Sequence, residues 1–443
     1  MADQLLVRMF NVGLGDFIYC VIPGAHDNGG DFHMVIDCGT LSGENLLKSA
    51  VPLLKKMLPD EGKKKRIDLL VVTHKHKDHM AGFGLPLWDD VAIKAIWMSA
   101  AMEPGNPQAQ RAEKLHSLAG AAMSQAAVFN LGPEYDAMFA AYAANNDAAV
   151  QNLISRLPAA NGITPVYVHA GQSTKGDLKL PLKDAVFHIL GPEKDIDHWY
   201  LGRPQDSSIS KLVKLAEDGQ FQGFAPTPPR SSAMPLNLDP IDFRNLQSRM
   251  LSSALAFSDA DGKLVNNTSV VLLIVWGGKR LLFVGDAEWD RKFKEGSSNS
   301  SWNTIWNRQK ELLAKPVDFL KVGHHGSVNA TPWGEGVSRE AGKPYEPVEI
   351  LDAILPVGST AKAAVSTERK KYKPIPEASL LTEVGTRIAN ARRYGPIFKA
   401  AGIKPETVNL FKDFEQRSFS AAQPPRTDFE NIAARADYIE VLV

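Results

Sequence analysis

The segment Thr73-His74-Lys75-His76-Lys77-Asp78-His79 places three histidines and an aspartate within six positions, in a chain with only eleven histidines. Imidazole nitrogens and carboxylate oxygens are good ligands for zinc, manganese or iron. His74 and His76 sit two apart, so in extended backbone both face one way. Asp78 and His79 can open a turn or helix and face a neighbouring ion, so one short stretch can serve two adjacent metals. A solvated polar loop would not concentrate histidine in this way. Two cations about 3.5–4 Å apart lower the pKa of a shared water to about 7 and stabilise charge developing on an attacked ester. Hydrolysis of a stable ester at neutral pH is the chemistry such a site would do.

These side chains need a frame. Ile67–Val72, directly before Thr73, is almost wholly apolar. That is the pattern of a strand buried on both faces, able to deliver the motif to a sheet edge. Leu5–Val12 and Asp16–Ile22 flank Gly13 and Gly15 and predict a hairpin. Phe32–Ile36 predicts a third strand, ending at Asp37. Gly43–Met57 has helical spacing and a basic end, with Pro52 inside it. Further strands are predicted at Val166–Val168, Ala185–Leu190, Ser269–Val275, Arg280–Val284, Asp318–Val322, Ala353–Val357, Ala363–Ser366 and Tyr438–Val443. Gly277-Gly278 reads as a tight hairpin turn. Strands alternating with helices point to a layered α/β fold.

Residues 100–162, rich in Ala, Met and Gln, predict a helical insertion. Residues 196–260, which include the Pro-rich Thr227–Arg230, predict a loop-rich one. Helical patterns fill Ala378–Ile388 and parts of 389–436. The whole chain, 1–443, reads as one elaborated domain whose two insertions cover the mouth of the site.

His74-Lys75-His76-Lys77-Asp78-His79 matches the H-x-H-x-D-H signature of the metallo-β-lactamase superfamily. Met34-Val35-Ile36-Asp37-Cys38-Gly39, Phe283-Val284-Gly285-Asp286-Ala287-Glu288 and Val322-Gly323-His324-His325-Gly326-Ser327 resemble its other motifs, in the right order. Asn11-Val12-Gly13-Leu14-Gly15-Asp16 and Asn266-Asn267-Thr268-Ser269 narrow the resemblance to the ComEC-like branch, the hydrolase domain of DNA-uptake competence proteins. The resemblance covers Leu5 to about Ala100, Ala185–Pro192, Asn266–Leu381 and the last strand.

This resemblance implies a metallo-β-lactamase αββα sandwich and a centre holding two Zn2+ or Mn2+ ions. The expected metal ligands are His74, His76, Asp78, His79, His324 and a bridging Asp286. Asp78, His325 and Asp37 are the expected catalytic and supporting groups, Asp37 by orienting the ligand loop. In extended backbone His324 and His325 point opposite ways, so one is a ligand and the other a proton donor or phosphate contact. His324, nearer the strand end, is the expected ligand. Asp16 reads as support for the site or as a turn residue. One departure stands out. Where many superfamily members carry another histidine, this chain reads Val186-Phe187-His188-Ile189-Leu190-Gly191-Pro192-Glu193, and His188 is read as a ligand or as a core residue.

The implied activity is that of a phosphodiesterase or nuclease acting on nucleic acid or a smaller phosphodiester. Lys75, Lys77 and the run Arg369–Lys373 can hold a polyanion, and Asn267 and Ser327 can hydrogen-bond a substrate oxygen. Two other readings stay open: a hydrolase of another ester (a phosphocholine ester, a lactone), and a partner-binding module with a vestigial metal site.

Composition bounds the rest. Fifty basic side chains balance fifty acidic ones, so no global field steers the chain to nucleic acid or anionic lipid, and any basic site must be local. Hydrophobic residues at 44% and charged residues at 23% exclude wholesale disorder. Cys20 and Cys38 cannot make a disulfide framework and fit a reducing compartment. The first ten residues lack a signal-peptide core, and no run of 18 apolar residues occurs. The expectation is therefore a cytoplasmic protein that avoids the membrane, with the insertions available to a protein partner.

Overall fold

Runs of β-branched and large apolar residues set the frame, in strands β1 (Leu6–Phe10), β2 (Ile18–Ile22), β3 (Phe32–Ile36), β4 (Asp60–Glu61), β5 (Lys64–Ile67), β6 (Leu69–Val72), β7 (Val91–Ile93) and β8 (Ile96–Ser99). They continue as β9 (Val166–Val168), β10 (Ala185–Gly191), β11 (Val271–Trp276), β12 (Lys279–Phe283), β13 (Phe319–Lys321), β14 (Lys362–Ala364) and β15 (Tyr438–Leu442). The principal helices are α1 (Glu44–Met57), α2 (Lys77–Met80), α3 (Pro107–Ala127), α4 (Pro240–Asn267), α5 (Ser301–Arg308) and α6 (Glu346–Ile354). The structure is a computed structural model. It describes residues 4–127, 146–202, 240–332, 346–356, 358–368 and 437–443, with short stretches between 210 and 218 and between 375 and 388.

The fold is mixed α/β. Seven strands form one sheet in the order β15-β1-β2-β3-β6-β8-β9, and five form a second in the order β10-β11-β12-β13-β14; β4-β5-β7 make a small third. The β1–β2 hairpin is antiparallel, with Met9 opposite Ile18. The pairs β3–β6, β6–β8, β12–β13 and β13–β14 are parallel. Because successive side chains face opposite sides of a strand, β6 splits its burial. Leu69 and Val71 join Val7, Ile18 and Met34 against Phe187, Leu272, Phe283 and Phe319 of the second sheet. Leu70 and Val72 turn outward onto Leu47, Val51 and Leu54 of α1. On the far side, Leu273, Leu282 and Leu320 meet Trp302 and Ile305 of α5 and Ile350, Leu351 and Ile354 of α6. Helix, sheet, sheet and helix thus share three apolar layers, and each buried side chain of this size contributes about 1.5–3 kcal/mol.

Between Trp276 and Lys279, Gly277 and Gly278 both take positive φ, at 54° and 77°, as the two-residue hairpin turn requires. Pro52 lies within α1, which carries Glu44 in its first turn and Lys55 and Lys56 in its last.

Two expectations change. Residues 240–260, part of the stretch read as loop-rich, belong to the long helix α4. Its buried Ala254, Phe257 and Leu264 recur at helical spacing, but the intervening Ser and Asp residues masked that stripe. Ala353–Val357, read as a strand, instead begins with the last turn of α6. The buried Ile350, Leu351, Ile354 and Leu355 follow a helical rather than an alternating period. Thr227–Arg230, Arg369–Lys373 and residues 389–436 lie outside the described residues, as does part of Ala378–Ile388.

The region 100–162 contains α3 and short helical segments over 147–161. Helix α3 packs along α4, with Ala112, Leu115, Ala119 and Met123 against Ala254, Phe257 and Leu264. Trp199 and Tyr200 close the same cluster. Among the described residues no helix is long and apolar enough to cross a membrane.

Candidate metal centre

One edge of the two sheets gathers every motif. The carboxyl ends of β3, β6, β12 and β13 lead into Asp37, Thr73–His79, Asp286 and His324-His325 respectively. Crevices beyond the carboxyl ends of parallel strands are where α/β proteins place their sites. After β6 the backbone is still extended at His76 (φ −67°, ψ 150°) and then turns into α2. That turn divides the motif. The ligand atoms of His74, His76 and Asp286 form one group. Those of Asp78, His79, Asp286 and His325 form another, with the atoms of each group within 4.8 Å of one another. Asp286 belongs to both, and a third group, Asp16, Asp37 and His79, shares His79 with the second. These buried groups are close enough to hold metal ions.

The imidazoles are oriented from behind. His79 Nδ1 donates to Asp37 Oδ2 at 2.8 Å, while Asp37 also accepts from the Thr73 N–H at 2.7 Å and the Thr73 hydroxyl at 2.6 Å. His325 Nδ1 donates to the Ser366 carbonyl at 2.9 Å. His74 Nδ1 lies 3.0 Å from Thr73 Oγ1 and 3.1 Å from Ser269 Oγ. In each case the Nε2 atom is the one aimed at the carboxylates. His79 Nε2 is 3.2 Å from Asp286 Oδ1, His74 Nε2 is 3.6 Å from Asp286 Oδ2, and His325 Nε2 is 2.9 Å from Asp78 Oδ2.

Two of these buried atoms, His79 Nε2 and Asp286 Oδ2, make no hydrogen bond. Orphaned polar atoms in a site this buried are costly. A cation between a ring nitrogen and a carboxylate oxygen would satisfy both. The donor set, imidazole and carboxylate with carboxylate-held Nδ1, is the one zinc and manganese sites use.

Charge at the site is strongly coupled. Burial opposes the charged form of Asp286, but the neighbouring His79, His324 and His74 outweigh it and hold the carboxyl well below its ordinary range. Burial likewise opposes charge on Asp78, where the hydrogen bond from His325 and the nearby His79 prevail and lower its pKa. Burial, with His79 adding, holds His74 well below its usual value, which favours the neutral ring that ligation needs. Burial acts the same way on His79, but Asp286 and Asp37 overcome it and raise that ring well above the usual value.

Close backbone approach explains several glycines. A Cβ on Gly39 would stand 2.2 Å from the Asp78 carbonyl carbon and the His79 nitrogen, and one on Gly82 would stand 2.4 Å from Cys38 Sγ. Cys38 is buried among these turns as a small space-filling residue, and burial raises its thiol pKa. Asp37, His324 and His325 take left-handed backbone, with φ of 57°, 40° and 53°. Such conformations cost about 1–3 kcal/mol each and cluster at functional sites.

The left-handed pair removes the premise that His324 and His325 alternate across a strand. It is His325, not His324, that falls in the group with Asp78, His79 and Asp286. His324 sits beside it, Nδ1 3.3 Å from Glu288 Oε1 and Nε2 3.9 Å from Asp286 Oδ2. Burial opposes its charge, but Asp286 and Glu288 raise its pKa to about 9.

Other expected residues fall at different distances from the centre. Lys75 pairs with Glu113 of α3 at 2.6 Å, and Lys77 is half-buried at the start of α2. Asn267 is wholly buried and engaged: Oδ1 accepts from the Glu288 and Ser301 N–H groups, and Nδ2 donates to Lys263 and Asn299 carbonyls. It joins the end of α4 to the start of α5 rather than offering a group to substrate. Ser327 donates to Asn329 Oδ1 at 2.8 Å, as a turn residue does. His188 is half-buried on β10 opposite Leu273 and belongs to neither group.

Sequence reading overlooked Lys321, which is 1% exposed and ion-paired with the equally buried Asp16. Asp16 in turn lies 3.9 Å from His79 Nδ1 and 4.0 Å from His325 Nδ1. The signal was available: a lysine inside the apolar run Phe319–Val322 must have a buried partner. No protein-family model matches the chain, and no curated protein matches it.

Proposed function

We propose that this chain is a metal-dependent hydrolase of the metallo-β-lactamase type, ComEC-like, that cleaves phosphodiesters with a two-cation centre. The observation that carries the reading is Asp286, whose carboxylate belongs to two of the three His/Asp groups. The layered sheets, the motif order along one sheet edge and the orphaned His79 Nε2 and Asp286 Oδ2 support it. His74, His76 and Asp286 would hold one ion, and Asp78, His79, Asp286 and His325 the other. When bound, the two cations would lower the pKa of a water and offset negative charge on the phosphoryl oxygens.

The protein's own residues do the rest. Asp37 and the Ser366 carbonyl fix the tautomers of His79 and His325, so that Nε2 faces inward in both. Thr73 and Ser269 fix His74. Lys77 and the charged form of His324, partly exposed beside Asp286, attract an anionic substrate to the mouth.

The test is hydrolysis of a bis-aryl phosphodiester and then of single-stranded DNA, with Mn2+ or Zn2+ added, against a lactone and a phosphocholine ester as rival substrates. Phosphodiester cleavage that disappears in the His76→Ala/Asp78→Ala double variant is the expected result. Full activity in that variant, or activity confined to the rival esters, would remove the proposal.

A further inference from the structure

A buried ion pair stands behind the candidate centre and joins its two halves. Asp16 lies between β1 and β2 of the first sheet, and Lys321 is the last residue of β13 in the second. Their charged groups meet, and both side chains are 1% exposed. Burial opposes the charge on Asp16, but Lys321, with His79 and His325 adding, outweighs it and lowers its pKa. The carboxylate reaches two of the candidate ligand rings from the rear. Asp16 Oδ2 lies 3.9 Å from His79 Nδ1, and Asp16 Oδ1 lies 4.0 Å from His325 Nδ1. Among the described residues that buried Oδ1 has no hydrogen bond. The backbone of Asp16 is tied to the same loop. Its N–H donates to the Asp78 carbonyl at 2.8 Å, and its carbonyl accepts from the Gly39 N–H at 2.9 Å. Lys321 stands four residues before His325, on the strand that leads to it.

His79 and His325 thus come from different sheets, with ring centres 5.6 Å apart and one carboxylate behind both. His74 is held instead by Thr73 and Ser269. Stability alone does not account for the pair, because well-packed apolar side chains in place of a buried ion pair are often neutral or stabilising. We propose that Asp16 and Lys321 are positioning residues that fix His79 and His325 relative to one another. In doing so they set how tightly the group of Asp78, His79, Asp286 and His325 holds a cation. The group of His74, His76 and Asp286 keeps its affinity without them. The inference rests on the two-cation reading above.

The test is calorimetric titration of the full chain with Mn2+ in two backgrounds. His76→Ala leaves the group that contains His325 intact, and His325→Ala leaves the group that contains His76. Asp16→Asn/Lys321→Met removes the ion pair without stranding a charge. Added to His76→Ala, it is expected to weaken binding about 10–100-fold, as losses behind a ligand do. Added to His325→Ala, it should leave the affinity unchanged. A role in folding alone would not separate the two backgrounds. Asp16→Asn by itself keeps an oxygen for Lys321 to donate to; it should weaken the His76→Ala background by less, and it carries the same comparison should the double variant fail to fold. Unchanged affinity in the His76→Ala background, or equal losses in both, would overturn the inference while leaving the two-cation reading in place. A wild-type chain that binds no Mn2+ would remove that reading and this inference together.

Discussion

Asp37 shows how much a single side chain can carry. It accepts from Thr73 twice and from His79 Nδ1, at a left-handed backbone position that asparagine also tolerates. Asp37→Asn should therefore fold yet bind metal about 10–100-fold more weakly, as losses behind a ligand do, which competition with a chelator would measure. Lys321 and Asp16 test the opposite case, a buried pair whose members are both 1% exposed. Lys321→Met strands the Asp16 charge and should cost about 3–5 kcal/mol in urea unfolding of the metal-free protein. The Lys321→Met/Asp16→Asn double variant should recover much of that loss; no recovery would mean the pair is not the cause. The pH dependence follows from His79. Asp286 and Asp37, working against burial, keep that ring protonated in the metal-free protein at neutral pH. Binding a cation at Nε2 must expel the proton, so affinity should rise with pH by about tenfold per unit for each proton released. Calorimetry at pH 6 and pH 8 checks this, with tighter binding expected at pH 8.

At the scale of elements, the site depends on turns that let backbone meet backbone. Gly39 faces the Asp78–His79 peptide so closely that a Cβ would overlap it. Gly39→Ala should displace the ligand loop and lower metal stoichiometry while far-ultraviolet dichroism keeps its wild-type form; an unchanged stoichiometry would show that the loop can yield. Legibility in the sequence divides along the same line. Ile67–Val72 and the H-x-H-x-D-H run were readable because a buried strand and a ligand cluster leave composition and spacing behind. The His324-His325 geometry was not, because two successive left-handed non-glycine residues leave no trace in residue type. Helix α4 was hidden by Ser and Asp on its exposed side, although Ala254, Phe257 and Leu264 marked its buried stripe.

For the whole molecule, two sheets bring the His/Asp groups to one edge, and α3 meets that edge through the Lys75–Glu113 ion pair. The apolar cluster of α3 and α4 is distinct from the three layers of the sandwich. In the proposed function, Asp286 stands between two bound cations. Anomalous diffraction from crystals grown with Zn2+ or Mn2+ would locate those cations. Two anomalous peaks are expected, one against His74 and His76, the other against Asp78, His79 and His325, with Asp286 touching both. A map with no peak beside Asp286, in crystals saturated with either metal, would overturn the two-cation centre.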